Sequence, residues 1–415
     1  MGRTARDKRD LPHPEPVERI ELSEKHVGLR VAAVILFLAL GLGTIAYALF
    51  SLLGSKTGWV TIEANNGSLG DVSKEFVFQY RLGAADLSPT EEKKALTLLY
   101  GEAVRRAYQI FVAKDADADE KGLASLNAHP DMEFVVDPGL YEALSVAIKD
   151  GNRAIYLGPL YAQYDSLFCS KTDQEAAECD PERNKEVRSE VERLMTYVSD
   201  PSMIDLKLLG ENRVLLNVSV EYLAYLKENW DTTYLGFGWM RNAFVSDYIA
   251  DTLLDAGYTN GLLISEDGFV RNMYDGKEEA SYAISRRDEG VVSSAGAFRL
   301  AGAVSVVYLH DYPLLTTQEN SYYVYEDGTI RAPYVNVEDG MLQCATHELI
   351  LAAPKGDDGK TMGLSELVMY AQKVYARDDL DRKALADLMG KGIGHLFFEN
   401  GAAFVSHEWM IPKME

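Results

Sequence analysis

A few places in this 415-residue chain carry side chains whose type and spacing could do chemistry. Arg241-Asn242 follows the glycine-bearing run YLGFGW (Tyr234–Trp239) and opens an apolar-periodic stretch. A guanidinium is always cationic and presents a planar fork of donors, so Arg241 suits a phosphate. Asn242 either joins it or simply caps the helix that follows. Glu266-Asp267-Gly268 offers two adjacent carboxylates, an acidic rim for a nucleotide or metal. Between apolar runs the same residues make a type I′ hairpin turn, which is the preferred reading. Glu366 stands near a helix start, where the helix dipole alone favours a carboxylate. Tyr322-Tyr323-Val324-Tyr325 could stack on a planar ligand, although an aromatic strand more often fills a core. His310, His347 and His395 have no partners at ligand spacing, and His347-Glu348 lacks the second histidine of a zincin motif. The Asp115–Asp119 stretch lacks the EF-hand pattern and reads as a solvated loop.

The elements that must position these residues follow from periodicity and capping. Gly58 to Arg81 alternates as strand, turn, strand, with Asn65-Asn66-Gly67 as the turn. Ser88-Pro89-Thr90-Glu91 is a capping box with proline at the first helical position. The helix it starts runs to about Val112, with Leu96, Leu99, Tyr100, Val104 and Tyr108 on one face. An extended FVVD (Phe134–Asp137) leads into a helix from Pro138 to about Lys149. In the centre, Val245, Tyr248, Ile249, Thr252, Leu253 and Ala256 share a helical face; Gly257 closes that helix and GLLIS (Gly261–Ser265) is a strand. Antiparallel strands are expected between Ser305 and Ala353, with turns at Glu326-Asp327-Gly328 and Glu338-Asp339-Gly340. Helices at Ser365–Tyr375 and Arg382–Met389 precede two final strands. The predicted class is α+β, antiparallel sheet with helices packed against it.

Ahead of this domain, Val31–Leu53 runs 23 residues without a charge, enough to cross a bilayer as one helix. Ala46-Tyr47-Ala48 resembles a signal-peptidase site, but the charged lead and the apolar run are both too long for a cleaved signal. Seven basic residues lie before the span and only Lys56 just after it, so the N-terminus is expected in the cytoplasm. The organisation read from this is a tail at 1–30, a transmembrane helix at 31–53 and an extracytoplasmic domain at 57–415. Its charged stretch at about 165–200 is expected as a surface insertion. The net charge is −23, which repels phosphate backbones and argues against nucleic acid. Of three cysteines, Cys169 and Cys179 are spaced for a local disulfide in an oxidising compartment, and Cys344 reads as a small buried apolar residue.

The order of these pieces resembles the ApbE family, the exported FAD:protein FMN transferases, from about Thr61 to the C-terminus. LASLN (Leu123–Asn127) is similar to the family's S-x-x-x-x-L-N segment, and Gly158-Pro159-Leu160 to its G-P-L. Asp311-Tyr312, Asp327-Gly328 and VNVEDG (Val335–Gly340) keep the spacing of its D-Y…DG…I-D-P-x-T-G stretch. The resemblance implies an ApbE-like fold of the T-fold type, with FAD as the FMN donor, a magnesium ion as cofactor and a threonine of an exported or membrane flavoprotein as FMN acceptor. The nucleotide contacts it implies fall on Gly238, Arg241, Asn242, Glu266, Asp267 and Asn336, and magnesium ligation falls on Glu366.

The signatures themselves are altered. Where the family has D-L-G-G-I-A-K-G, this chain has Gly236–Ala243, with Asn242 at the lysine position, Arg241 one residue earlier and Trp239 in place of a glycine. Its G-G-D becomes Ser265-Glu266-Asp267-Gly268, its His-x-x-Asp becomes Pro333-Tyr334-Val335-Asn336, and the threonine of its A-D-A-x-x-T falls on Met369. The expected function is therefore a membrane-anchored ApbE-like protein with reduced or lost FMN transfer. The alternative is a non-catalytic flavin- or partner-binding protein on the same scaffold.

Overall fold

A computed structural model describes residues 58–64, 75–83, 87–115, 118–288, 290–314 and 321–413, all within one compact unit, Thr57–Glu415. The expected tail, the transmembrane helix at 31–53 and the Asn65-Asn66-Gly67 turn lie outside the described residues, as does the middle of the Asp115–Asp119 stretch. Among the described residues no helix is long and apolar enough to cross a membrane.

In chain order the strands are β1 (Gly58–Ile62), β2 (Phe76–Leu82), β3 (Glu133–Val135), β4 (Ile204–Gly210), β5 (Arg213–Val218), β6 (Gly261–Ser265), β7 (Phe269–Asn272) and β8 (Glu279–Asp288). They continue with β9 (Val291–Ala301), β10 (Val304–His310), β11 (Tyr323–Val324), β12 (Ile330–Arg331), β13 (Glu348–Pro354), β14 (Gly394–Glu399) and β15 (Ala402–Val405). The helices are α1 (Pro89–Phe111), α2 (Leu123–Ala128), α3 (Pro138–Ala147), α4 (Gly158–Phe168) and α5 (Asp173–Cys179). After these come α6 (Lys185–Val198), α7 (Val220–Asn229), α8 (Arg241–Asp255), α9 (Leu364–Tyr375) and α10 (Arg382–Met389).

The main sheet has eight strands in the order β1-β2-β6-β7-β10-β13-β14-β15, every neighbour antiparallel. A three-stranded sheet (β3-β5-β4) and the β8–β9 ribbon stand beside it. The strand period of two explains why β10 and β13 read as almost unbroken apolar runs. Val307, Leu309, Leu349 and Leu351 face the helices, while Val304, Val306, Ile350 and Ala352 face the ribbon with Tyr282 and Phe298. Both faces of the central strands are covered. Each side chain so buried contributes about 1.5–3 kcal/mol relative to exposure.

The local predictions hold closely. Ser88 and Glu91 form both halves of the capping box that opens α1. Glu266-Asp267-Gly268 is the turn of the β6–β7 hairpin, but not of the expected type I′: the loop has three residues and only Gly268 takes positive φ (89°), its N–H donating to the Ser265 carbonyl. Tyr322, Tyr323 and Tyr325 are buried. The stretch at 165–200 differs from its expectation. Its charge covers one face of α5 and α6, whose other face sends Ala176, Val191, Leu194, Met195 and Val198 into the main core. Asp180 is buried, accepting from the Tyr325 hydroxyl (2.9 Å) and Arg331 Nε (2.8 Å), which ties this segment to the β11–β12 hairpin. Charge density hid a helical period. All three cysteines are free, so the expected Cys169–Cys179 disulfide is absent; Cys169 is exposed and Cys179 and Cys344 half-buried.

Candidate functional site

Three elements converge where β2 and β6 begin and end. Glu75 precedes β2, Asp267 sits at the β6–β7 turn, and α8 starts at Arg241. The Glu266 N–H donates to the Glu75 carbonyl (2.9 Å), which fixes the two chain segments side by side. Helix α8 follows a single turn at Gly238–Met240 and has no side-chain cap. Asn242 does not cap it. Its amide Nδ2 donates instead to Glu75 Oε2 (3.0 Å) and to Asp267 Oδ2 (2.5 Å), and only 4% of the residue is exposed. Arg241 Nη2 donates to the same Glu75 oxygen at 2.7 Å, and its Nε to Asn242 Oδ1 at 3.3 Å.

The electrostatics follow from this geometry. One guanidinium and the positive end of α8 face the carboxylates of Glu75 and Asp267. Asp267 is half-buried, and burial pushes its carboxyl up to about 7, with Arg241 pulling back and Glu75 pushing further up. Beside the cluster lies a small hollow, partly open to solvent, lined by Glu75, Tyr108, Phe111, Arg241, Asn242 and Val245. A diphosphate entering it would meet the Glu75 and Asp267 carboxylates and find Arg241 already paired, so the residues present do not fit the FAD pyrophosphate here.

The approach to Arg241 is built around residues of the motifs quoted above (Asn127, Gly158, Gly236, Gly238 and Trp239), while Leu235's bracketing and the Tyr161 contact come only from the fold. Asn127 of α2 brackets Leu235: its Nδ2 donates to the Leu235 carbonyl (2.9 Å) and its Oδ1 accepts from the Leu235 N–H (2.9 Å). Gly236 donates to the Ile155 carbonyl, and a Cβ on Gly158 would stand 2.4 Å from the Thr233 carbonyl oxygen. Gly238 has φ 52° and lies against the Tyr161 ring. Trp239 then meets Tyr334 edge-on with centroids 4.9 Å apart, and Tyr334 meets Tyr375 at 4.8 Å. Aromatic rings thus pack one on another beside the loop.

Two predicted site residues lie elsewhere. Asn336 is buried and satisfied within its own loop: Nδ2 donates to Gln343 Oε1 (2.7 Å), and Oδ1 accepts from the Glu338 N–H (3.0 Å). Glu366 lies in the first turn of α9, beside Lys149 Nζ at 3.3 Å and accepting from the Tyr370 hydroxyl at 3.2 Å. It lines a separate small hollow, partly open to solvent, with Val146, Asp150, Asn152, Met369 and Lys373. Magnesium wants several oxygen donors in octahedral array. Glu366 and Asp150 are the two carboxylates of that lining, set among the ammonium groups of Lys149 and Lys373, and no group of three His, Cys, Asp or Glu suited to a metal occurs among the described residues. The carboxylate that does organise α9 is Asp247 of α8, which accepts from Leu364 N (2.9 Å) and from Ser365 N (2.8 Å) and Oγ (2.6 Å).

No protein-family model and no curated protein matches the sequence. Solved structures do match the fold. An ApbE protein from Thermotoga maritima is 15% identical with a TM-score of 0.56, over 84% of this chain and 97% of its own. The flavin transferase ApbE from Vibrio cholerae is 12% identical with a TM-score of 0.53, over 85% and 98%. The described domain therefore has the ApbE flavin-transferase fold.

Proposed function

We propose that this chain uses the ApbE scaffold without FMN transfer, as a binding or assembly protein held at a membrane. The observation that carries this reading is the engagement of Arg241. This cation, next to the position of the family's phosphate-contacting lysine, is paired with Glu75, and Asn242 is spent between Glu75 and Asp267. A pyrophosphate arriving there meets carboxylates and must displace Glu75 from its donors. The Arg241–Glu75 pair is only partly shielded, at 36% and 22% side-chain exposure, so its own strength is modest; what opposes a phosphate is the pair of carboxylates, Glu75 and Asp267, that it would meet there. The apolar span Val31–Leu53 supports an anchor with the acidic domain outside the cytoplasm. A partner that is itself an exported or membrane flavoprotein suits that location. No step through FAD or magnesium is derived.

The test uses the full-length chain in detergent with FAD, magnesium and a threonine-bearing acceptor peptide. Intact-mass analysis should find no FMN adduct on the peptide, and flavin fluorescence should show no FAD binding. An adduct that vanishes in Arg241→Ala overturns the proposal. A second reading, a flavin held without transfer, is favoured by the shared fold; it predicts FAD binding with no adduct.

A further inference from the structure

The β8–β9 ribbon is joined to the sheet unevenly. Its first half packs Tyr282, Ile284 and Phe298 on the sheet's outer apolar face. The pairing register shifts between Ile284 and Ser285; beyond that bulge Ser285–Arg287 are half-buried and the tip is exposed, with Val291 at 67% and Val292 at 43%. At the bulge, Ser285 N–H donates to the Tyr308 hydroxyl (3.0 Å), which donates to the Ser285 carbonyl (2.9 Å). Two residues further out, the Arg287 N–H donates to Glu348 Oε1 (2.5 Å), and the Tyr312 hydroxyl donates to the same oxygen (2.8 Å). Glu348 is fully buried, and its second oxygen Oε2 has no hydrogen-bond partner. Asp311 Oδ1 beside it has none either, with Arg287 Nη1 at 3.7 Å. A buried carboxylate with a bare oxygen is costly when ionised and tolerable when neutral.

We propose that Glu348 is a proton-operated latch for this ribbon. Protonated, it presents a neutral carboxyl whose Oε1 holds Arg287 and Tyr312. Losing the proton leaves a poorly solvated charge under the ribbon and loosens its outer half, residues 285–288 and 290–295. The groups facing Glu348 are Tyr308 and Tyr312, Arg287 from β8, and the neighbouring Asp311 and His347. Glu399, on the strand next to β13, is engaged with Arg382 (2.7 Å). Burial raises the Glu348 carboxyl above its ordinary 4.5, outweighing the two donors that favour the charge. His347, hydrogen-bonded to Asp311 Oδ2 at 2.8 Å, is raised above 6.5 by that contact. Both groups hold protons more tightly in the folded chain. Their contributions are complete below the unfolded values and are lost as pH rises through the folded ones.

Hydrogen exchange on the full-length chain between pH 5 and pH 8, corrected for intrinsic chemistry, reads the latch directly. Amides of 285–288 and 290–295 should lose at least about tenfold protection relative to β13 as pH rises. Glu348→Gln keeps a neutral acceptor and should hold acid-level protection throughout. His347→Asn should leave the transition in place. Tyr312→Phe removes a donor to the ionised form and should move the midpoint upward, which keeps the test open should the glutamine variant fail to fold. Flat protection in the native chain, loss of the transition in His347→Asn, or an unmoved midpoint in Tyr312→Phe overturns the proposal.

Discussion

Replacing Asp267 by asparagine should stabilise this protein at alkaline pH and do nothing, or slightly harm it, in acid. Asp267 accepts from the buried Asn242 amide and lies beside Glu75, and its carboxyl is raised from 3.8 to about 7. A carboxyl raised in the folded state is one the folded chain prefers protonated. Its contribution is whole below pH 3.8 and is lost as pH rises through 7. Every tenfold gain in proton affinity corresponds to about 1.4 kcal/mol, so the ionised group costs up to about 4 kcal/mol above pH 7. Arg241 and relaxation of the half-buried turn reduce this to about 2–3 kcal/mol. Asparagine keeps an acceptor for Asn242 and removes the charge. Unfolding entropy near 2.1 cal/mol/K per residue, over about 360 residues, amounts to about 0.8 kcal/mol/K. Asp267→Asn should therefore raise Tm by about 3–4 °C at pH 8 and change it by less than about 1 °C at pH 4. Calorimetry on the full-length chain at both pH values measures this. An equal change in Tm at the two pH values, or destabilisation at pH 8, refutes the electrostatic reasoning.

Other substitutions examine the rest of the site. Gly238→Ala combines positive φ with a Cβ 2.5 Å from the Tyr161 ring, so urea denaturation should show a loss of about 2–4 kcal/mol. Asn127→Ala strands the Leu235 N–H and carbonyl and should cost about 2–3 kcal/mol by the same measurement. Trp239→Gly removes the ring packed on Tyr334; it should lose about 2 kcal/mol and still bind no FAD by fluorescence, since Glu75 keeps Arg241 occupied. Alkylation near neutral pH should modify Cys169 first and Cys344 last, because burial raises the Cys179 and Cys344 thiols; failure of Cys169 to react without reductant would reveal a disulfide.

Much of the fold was legible because its signals are local. The capping box at Ser88, the Asp-Gly turn at Asp267-Gly268, the C′ glycine at Gly257 and the helical period of α8 each lie within a dozen residues. The segment at 165–200 misled because charge on one face of α5 and α6 masked the apolar face that reaches the core. The site was legible only in part. Arg241, Asn242 and Asp267 were picked out and do meet, whereas Asn336 and Glu366 face other partners.

The sequence by itself determined where many helices and strands begin and end, the acidic balance of the chain, and the altered signatures around Trp239 and Asn242. Tertiary structure alone decided what those residues do. Glu75 and Arg241 are separated by 166 positions, and Asn127 and Leu235 by 108; no local pattern encodes such pairs. The partner of a charge is set by how strands β2 and β6 pair and where α8 lands on their ends. That placement sets the chemistry, because a guanidinium already paired with one carboxylate and standing beside a second has less to offer a phosphate.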